Sequence, residues 1–281
     1  MEIWQSLTST TSSLQKIRCS GQSIGFVPTM GALHSGHLSL VERCRRECDV
    51  VVMSIFVNPL QFHVESDLER YPRPFEQDSV KARAAGVDYL FAPSGEEMYP
   101  DGPPATAVHV AGITEVMEGV QRPGHFAGMA TVVTKLLNII GSCTAYFGEK
   151  DWQQLAVVRR MVRDLSFPVV VVGCPIVREH DGLALSSRNR YLDKDHRVAA
   201  LGLYRALERG RATVLEGERN ADYVREVMMS VMADEPLVEP SYAEVVGPDL
   251  VRPSEITGQV RLLVAAQVGS VRLIDNLGVV V

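Results

Sequence analysis

The sequence predicts an α/β protein in which a mostly parallel sheet is followed by a smaller α+β domain. Strand-like and helix-like segments alternate through the first part of the 281-residue chain, as they do in sheets built from β-α-β units. The run at residues 49–57 is rich in β-branched side chains, which is typical of a strand that is buried on both faces. After about Val177 the order changes to two helices followed by short strands. These three observations predict the fold class.

The spacing of apolar residues and the turn residues between them place the individual elements. In the first domain the predicted strands cover residues 24–28, 49–57, 87–92, 106–111, 145–147 and 168–172. The predicted helices of this domain cover residues 36–48, 75–85, 125–140 and 151–165. Gly86 and Gly141 follow two of these helices and are expected to end them, because glycine accepts the left-handed conformation found at helix C-termini.

The second domain is predicted to contain helices at residues 193–216 and 221–233 and strands at residues 242–246, 261–266 and 271–274. We therefore expect a Rossmann-like domain at residues 1–176 and a smaller α+β domain at residues 177–281. Ligands of parallel sheets bind beyond the carboxyl ends of the strands. The turns after Val27, Val57 and Phe147 lie at such ends, so three loops that are distant in sequence are expected to meet at one cleft.

The composition excludes several classes of function. The chain is 46% hydrophobic and 22% charged, and its net charge is −6 without a Lys/Arg-rich run. Because nonspecific nucleic-acid binding needs a basic surface, no nucleic-acid partner is expected. No apolar run reaches the length of a membrane span, and the N-terminus lacks the pattern of a secretory signal. We expect a cytoplasmic protein without a membrane partner.

The five cysteines form no C-x-x-C pair and are odd in number. A disulfide framework or a structural zinc site is therefore not expected, and a reducing compartment is the simpler assumption. Cys44 and Cys48 lie four residues apart on a predicted helix, roughly in phase with Leu38 and Val41. We interpret both as small buried apolar residues.

The strongest functional pattern lies at residues 27–38, V-P-T-M-G-A-L-H-S-G-H-L, between the first predicted strand and the helix that follows it. Gly31 and Gly36 allow the backbone to approach a ligand, and the start of the helix offers unpaired N–H groups to an anion such as phosphate. His34 and His37 add donors for charge that develops during a reaction. The alternative is that the two histidines are surface residues or a capping pair.

A second polar loop, F-V-N-P-L-Q-F, follows the most hydrophobic strand and carries Asn58 and Gln61. An uncharged amide both donates and accepts, which suits a substrate with a carboxylate and hydroxyl groups. The alternative is an Asn-Pro turn with a glutamine that faces solvent.

A third loop, F-G-E-K-D-W-Q-Q, joins a strand to a helix and places Lys150 beside the helix N-terminus. Lys150 could pair with phosphate, and Asp151 could cap the helix or contact a metal or the lysine. Gln154 lies one turn further and could face the same cleft. The alternative is a capping turn with solvated charges.

A fourth segment, R-E-H-D-G-L-A-L-S-S-R-N at residues 178–189, lies at the expected domain junction. Ser186, Ser187 and Arg188 offer hydroxyl and guanidinium donors to phosphate oxygens. A junction loop could close over a nucleotide and exclude water from a reactive intermediate. The alternative is a polar linker with a serine turn.

Two common nucleotide-binding motifs are absent from the sequence. No G-x-G-x-x-G follows a strand, and no G-x-x-x-x-G-K-[ST] loop occurs. A dinucleotide cofactor and a P-loop kinase or ATPase are therefore disfavoured. Another class of nucleotide site is needed.

These motifs together resemble one family. H-S-G-H matches the H-x-G-H signature of the nucleotidyltransferase superfamily. The order P-T-M-G-A-L-H-S-G-H-L-S-L, F-V-N-P-L-Q-F, Y-P-R, G-H-F-A-G-M-A-T-V-V-T-K-L, F-G-E-K-D-W-Q-Q-L and G-L-A-L-S-S-R-N resembles the pantothenate synthetase (pantoate–β-alanine ligase) family. The resemblance is sharpest at residues 24–192 and weaker in the last ninety or so.

The resemblance implies an ATP-dependent ligase of pantothenate biosynthesis. Pantoate's carboxylate would attack the α-phosphate of ATP to give pantoyl adenylate and pyrophosphate, and β-alanine would then displace AMP. The implied partners are the small-molecule substrates ATP, pantoate and β-alanine, with Mg²⁺ bound mainly through the ATP phosphates rather than by a protein cage. The family also suggests a homodimer whose second domain serves as a lid associated with dimerisation.

The resemblance also implies roles for individual residues. The ATP-binding residues would be Met30, Gly31, Ala32, Leu33, His34, Ser35, Gly36, His37, Gly148, Glu149, Lys150, Asp151, Val177, Leu185, Ser186, Ser187 and Arg188. The catalytic residues among them would be His37, His34, Lys150 and Arg188. The pantoate- and β-alanine-binding residues would be Gln61, Gln154 and Asn58. For the histidines we expect an electrostatic role, because pyrophosphate that is bound to magnesium leaves without an acid.

The chain departs from the family pattern at two places, and other functions stay open. Leu185 replaces a usual methionine, and the segment 63–67, H-V-E-S-D, has Ser66 where glutamate is common; this second departure affects the detail near Gln61. One alternative is another H-x-G-H enzyme, a cytidylyl- or adenylyltransferase. Further alternatives are a tRNA-binding relative, which the acidic charge disfavours, and a purely structural role.

Overall fold

Six parallel strands form the sheet of the first of two structural units. The computed structural model describes residues 1–62 and 65–281, and for residues 65–67 it describes the backbone alone. Contacts within the chain group it into one unit of residues 1–149 and 153–175 and a second unit of residues 150–152 and 176–281. The functional roles predicted for the two domains stay predictions.

The strands of the first unit are β1 (Glu2–Trp4), β2 (Ile24–Thr29), β3 (Val50–Ile55), β4 (Tyr89–Phe91), β5 (Cys143–Gly148) and β6 (Val169–Cys174). They lie in the order β1-β4-β3-β2-β5-β6, and every neighbouring pair is parallel. The helices are α1 (Leu7–Cys19), α2 (Ser35–Glu47), α3 (Glu65–Arg70), α4 (Phe75–Ala84), α5 (Gly95–Met98), α6 (Glu118–Gln121), α7 (His125–Ile140) and α8 (Trp152–Asp164). The predicted fold class is confirmed.

Strands β2 and β5 separate towards their carboxyl ends. They pair only at Gly25↔Thr144 and Phe26↔Ala145, whereas β2 stays paired with β3 along its whole length, to Thr29, and β5 stays paired with β6. The strand order also reverses between β2 and β5, so this is the switch point at which α/β sheets bind ligands. Pro28, which has no N–H group, cannot donate a ladder hydrogen bond there.

A cluster of buried side chains under α2 and α4 packs on the strands beside this switch point. It consists of Val27, Leu33, Leu40, Val41, Cys44, Val51, Met53, Ala82, Val87, Leu90, Tyr146 and Cys174. The prediction for Cys44 and Cys48 is confirmed for Cys44, which is fully buried. Cys48 is only half-buried, and its Sγ lies 3.4 Å from the Tyr146 hydroxyl. All five cysteines are free thiols.

The predicted strand at residues 106–111 is wrong. Its backbone is used in another way, since the Val108 N–H donates to Thr131 Oγ1 of α7 at 2.9 Å and the Val110 carbonyl accepts from the Thr114 hydroxyl at 2.6 Å. Side chains therefore satisfy groups that a strand would have used in a ladder. Strand β1 and helix α1 are not among the predicted elements, because a three-residue strand and a helix rich in serine and threonine carry a weak apolar pattern.

The second unit is a three-stranded antiparallel sheet with two helices. Its elements are α9 (Lys194–Leu215), α10 (Ala221–Ala233), β7 (Val238–Val246), β8 (Gln259–Val268) and β9 (Val271–Val280), with strand order β7-β8-β9. Both predicted helices are confirmed, but the strands are longer than predicted. Strand β9 continues through Asp275, Asn276 and Gly278, which resemble turn residues in the sequence. Among the described residues, no helix has the length and apolar character needed to cross a membrane.

One buried ion pair anchors the chain that enters the second unit. Two guanidinium nitrogens of Arg178 bind the Asp275 carboxylate of β9, at 2.6 and 2.9 Å, and the guanidinium lies 4.3 Å from the Tyr204 ring. Asp275 is only 5% exposed. Burial raises the pKa of its carboxyl, and Arg178 opposes that shift.

We predict that Arg178→Met destabilises the protein by about 3 kcal/mol, because it leaves a buried charge without a partner. The penalty should be smaller near pH 5 than near pH 8. With Arg178 gone, burial alone keeps the folded-state pKa of Asp275 above its unfolded value, so the folded state holds the extra proton and loses stability as pH rises. Urea unfolding at both pH values measures this.

The matched control is the double variant Arg178→Met/Asp275→Leu, which removes both charges. It should be more stable than Arg178→Met and show no such pH dependence. Equal destabilisation of the two variants would contradict a role for the unpaired carboxylate.

Candidate active site

The loop between β2 and α2 is held in an unusual conformation by a single carboxylate. Gly31 and Ala32 both have positive φ, 83° and 52°, and an alanine there is strained. The Ala32 N–H donates to Asp78 Oδ2 at 2.7 Å and the Leu33 N–H donates to Asp78 Oδ1 at 2.8 Å. Asp78 is 1% exposed. Two charge-assisted hydrogen bonds thus offset the strain of the turn.

The same helix holds the other side of the loop. Lys81, one turn after Asp78 on α4, donates through Nζ to the Leu33 carbonyl at 2.7 Å. At the start of the loop, the Thr29 hydroxyl donates to the Ser54 carbonyl of β3 at 2.7 Å and accepts from the Gly31 N–H at 3.2 Å. Asp78 and Lys81 are not among the predicted site residues, because they are separated from the loop by more than forty residues and look like ordinary helix positions.

The two predicted histidines lie at the start of α2. His34 is the N-cap residue, and its Nδ1 accepts from the Gly36 N–H at 3.2 Å. The Nδ1 of His37 accepts from the His34 N–H at 3.4 Å, and the two ring centroids are 4.1 Å apart. The capping interpretation of these residues is therefore correct as a description of their Nδ1 atoms.

Capping also determines which atom each histidine can use. A backbone N–H only donates, so the Nδ1 atoms of His34 and His37 act as acceptors and the proton of each neutral ring lies on Nε2. Each ring thereby carries a donor on the side away from its own backbone contact. Capping and anion binding are compatible, since the first uses Nδ1 and the second would use Nε2 together with the positive end of the α2 dipole.

The loop after β3 contacts the loop after β2. Residues Pro59–Gln61 form a short 3-10 turn, and the Gln61 side chain donates through Nε2 to Met30 Sδ at 3.3 Å. Helix α7 packs tightly on this turn, because a Cβ at Gly128 would lie 2.1 Å from the Leu60 carbonyl oxygen. Asn58 is 1% exposed and donates to Gly128 O at 3.1 Å. The predicted residues of two loops are thus brought together.

The third predicted loop begins at the end of β5, beside the gap in the sheet. Gly148 is the last residue of that strand and Glu149 follows it. Gln153 is buried, and its amide binds the backbone of residues 113, 116 and 118. Gln154 is half-buried, and its amide makes no hydrogen bond within the part of the chain that the structure describes. Gln153 is a third structural residue, after Asp78 and Lys81, that is not among the predicted site residues.

The remaining predicted residues belong to the second unit. Asn276 donates to the Lys150 carbonyl at 2.8 Å, and Lys150 Nζ lies 3.8 Å from Asp151 Oδ1. The Ser186 hydroxyl accepts from the Arg188 N–H at 3.3 Å, which is the serine turn considered as the alternative for this segment. The nucleotide contacts predicted for Lys150, Asp151, Val177, Leu185, Ser186, Ser187 and Arg188 stay predictions.

The departure of segment 63–67 from the family pattern falls partly on His63 and Val64, which lie outside the described residues, and the side chains of residues 65–67 lie outside them as well. Within the described part of the chain, no cluster of three or more His, Cys, Asp or Glu side chains could hold a metal ion.

A sequence model of the pantoate–β-alanine ligase family matches residues 2–278. The chain belongs to this family. Pantothenate synthetase of Moorella thermoacetica is 50% identical over 277 residues, which cover 98% of each chain. The family expected from the motifs is confirmed.

Two solved structures of the pantoate–β-alanine ligase family match the fold. The crystal structure of pantothenate synthetase from Thermus thermophilus has a TM-score of 0.92 at 48% identity and covers 99% of both chains. The ligase from Francisella tularensis, crystallised with β,γ-ATP and β-alanine, has a TM-score of 0.80 at 35% identity, with 99% of this chain and 97% of that chain covered.

We predict that Asp78→Asn lowers kcat/KM by roughly 30-fold, or about 2 kcal/mol, because one of the two loop amides loses its acceptor and faces an NH₂ group instead. Steady-state kinetics of pantothenate formation with varied ATP measures the effect. The folded fraction is checked by circular dichroism.

Asp88→Asn is the matched control. Asp88 also accepts from a backbone N–H, that of Val51 at 2.8 Å, and pairs with Arg45, but it precedes β4 and so lies at the amino end of the sheet. Its kcat/KM should stay within about twofold, since only a half-exposed pair is perturbed. Wild-type kinetics in Asp78→Asn would contradict the role of the carboxylate in the loop.

Proposed function

We propose that the protein is a pantoate–β-alanine ligase that joins the two substrates with ATP and releases pantothenate, AMP and pyrophosphate. The observation that carries this proposal is the loop after β2, where a strained turn and two Nε2–H donors lie at the switch point of the sheet. The chain that contains this loop matches the ligase family over residues 2–278. The complex of the Francisella tularensis relative with β,γ-ATP and β-alanine supports the choice of ATP and β-alanine as substrates.

The first step activates the acid. A carboxylate is a poor acyl donor because its leaving group would be oxide. A pantoate carboxylate oxygen attacks the α-phosphorus of ATP, the bond between that phosphorus and the bridging oxygen breaks, and pyrophosphate leaves with the electron pair. The Nε2–H groups of His34 and His37 and the N-terminus of α2 stabilise the negative charge on the phosphates.

The second step forms the amide. The amine of β-alanine attacks the acyl carbon of pantoyl adenylate, the carbon–oxygen bond to AMP breaks, and the nitrogen loses a proton. The stable AMP anion makes the displacement favourable. We assign the binding of pantoate to the side-chain amides of Gln61 and Gln154. The Gln61 amide contacts Met30 of the histidine loop, and Gln154 lies on α8, which follows the β5 loop.

Mg²⁺ enters this scheme as part of the substrate Mg–ATP, since it binds readily to nucleotide phosphates. We further propose that the active form is a cytoplasmic homodimer. The sheet supports self-association, because β6 is an edge strand of the first unit and its Val170 side chain is 63% exposed.

We predict that the purified protein with Mg–ATP exchanges labelled pyrophosphate into ATP only when pantoate is added, and that net AMP and pantothenate formation requires β-alanine as well. The exchange is expected because adenylation is reversible and precedes amide formation. Scintillation counting of ATP and chromatography of products measure the two activities.

The test variant is His37→Ala. It should lower the exchange rate on the order of 100- to 1,000-fold, as loss of a transition-state donor does in other enzymes. Pantoate-independent exchange, or exchange that requires another acid or an alcohol phosphate, would contradict the proposed function and favour a different H-x-G-H nucleotidyltransferase.

A further inference from the structure

Gln61 is the end of a buried chain of three hydrogen-bonding side chains. The Tyr99 hydroxyl donates to Asn58 Oδ1 at 2.8 Å, and Asn58 Nδ2 donates to Gln61 Oε1 at 3.1 Å. The three side chains are 8%, 1% and 7% exposed. The direction of each hydrogen bond determines which atoms of Gln61 are presented to a ligand.

Two backbone groups fix the orientation of the Asn58 amide. The Gly128 carbonyl can only accept, and Asn58 Nδ2 donates to it at 3.1 Å. The Leu60 N–H can only donate, and Asn58 Oδ1 accepts from it at 3.4 Å. The amide would place donor against donor and acceptor against acceptor if it were rotated by half a turn. The Asn58 NH₂ group must therefore face Gln61.

Tyr99 completes this arrangement at the Asn58 oxygen. Its hydroxyl faces an amide oxygen and so donates to it, and burial raises the pKa of Tyr99 to about 12, further above neutral pH. All four hydrogen-bonding positions of the Asn58 amide are then used within the protein, two as donor and two as acceptor. Asn58 has no position left for a substrate and acts through Gln61.

The backbone of Gln61 is held as firmly as its side chain. His125 Nδ1 lies 3.0 Å from the Gln61 carbonyl oxygen, which only accepts, so Nδ1 donates. The other nitrogen of this ring, Nε2, lies 3.1 Å from the Arg122 guanidinium and accepts from it. The turn is thus anchored through its backbone as well as through its side chains.

We propose that Tyr99 is a positioning residue that, through Asn58, holds the Gln61 amide with its oxygen inward and its NH₂ group towards the substrate. The Gln61 NH₂ group then selects a hydrogen-bond acceptor, such as a carboxylate or hydroxyl oxygen of pantoate. A reversed amide would present its own oxygen and repel a carboxylate. This inference rests on the proposed function, in which Gln61 binds pantoate.

Tyr99→Phe tests the inference, since it deletes only the hydroxyl. The KM for pantoate should rise about tenfold, the equivalent of one lost hydrogen bond, while the KM for ATP changes by less than about twofold. The matched control is Tyr89→Phe, a tyrosine of β4 that stacks on Trp4 at 4.2 Å, which should leave both constants unchanged. An unchanged pantoate KM in Tyr99→Phe would overturn the proposal.

A double-mutant cycle separates positioning from a general loss of structure. In a Gln61→Ala background the amide is gone, so adding Tyr99→Phe should have no further effect on the pantoate KM. The same tenfold increase in both backgrounds would show that Tyr99 acts by another route and would overturn the proposal.

Gln61→Glu tests the predicted direction of the hydrogen bond. A carboxylate accepts from Asn58 as the glutamine oxygen does but carries no N–H, so pantoate binding should weaken at least as much as in Gln61→Ala. Wild-type binding in Gln61→Glu would contradict the need for a donor. Wild-type enzyme measured in parallel keeps the two proposals distinguishable: no pantoate-dependent turnover there overturns the proposed function, whereas normal turnover with an unaffected Tyr99→Phe overturns only the positioning role.

Discussion

The Asp78 carboxylate is the contact on which the candidate site most depends. The successive amides of Ala32 and Leu33 donate to its two oxygens, and Gly31 and Ala32 both have left-handed backbones. Without that acceptor the strained turn would leave buried N–H groups unsatisfied. Because the turn sets where α2 begins, the carboxylate also determines where His34 and His37 are placed.

The side chains of His34, His37 and Gln61 all present hydrogen-bond donors. His34 and His37 use Nδ1 as an acceptor for backbone N–H groups, which assigns their protons to Nε2. Gln61 uses its oxygen for Asn58 and one N–H for Met30 Sδ, and it presents the second N–H of its NH₂ group. The site is therefore rich in donors at the gap between β2 and β5, and donors suit substrates made of phosphate and carboxylate oxygens. Local capping and buried amide contacts establish this polarity before any ligand binds.

The sequence was sufficient to predict the features that are encoded locally. Alternating elements predicted the parallel sheet, and Gly31 and Gly36 predicted the strand-to-helix turn that carries His34 and His37. Contacts between distant segments could not be predicted. Asp78 looks like any acidic residue in the first turn of a helix, and its role becomes visible only when α4 packs against the loop. Tyr99 is separated from Asn58 by forty-one residues.

The failed prediction at residues 106–111 has the same origin. The segment has a strand-like pattern, but one of its backbone amides donates a hydrogen bond to the Thr131 side chain of α7. Tertiary hydrogen bonding overrode local propensity there. Strand β9 shows the converse case, since ladder pairing with β8 carries the strand through Asp275 and Asn276, residues that favour turns when judged alone.

A crystal structure of the protein with pantoate and a non-hydrolysable Mg–ATP analogue would test the central claim most directly. We expect the phosphates to lie within hydrogen-bonding distance of the Nε2 atoms of His34 and His37. We expect an oxygen of pantoate to accept a hydrogen bond from Gln61 Nε2. Phosphates bound away from the loop after β2, or a Gln61 amide with its oxygen towards the acid, would contradict it.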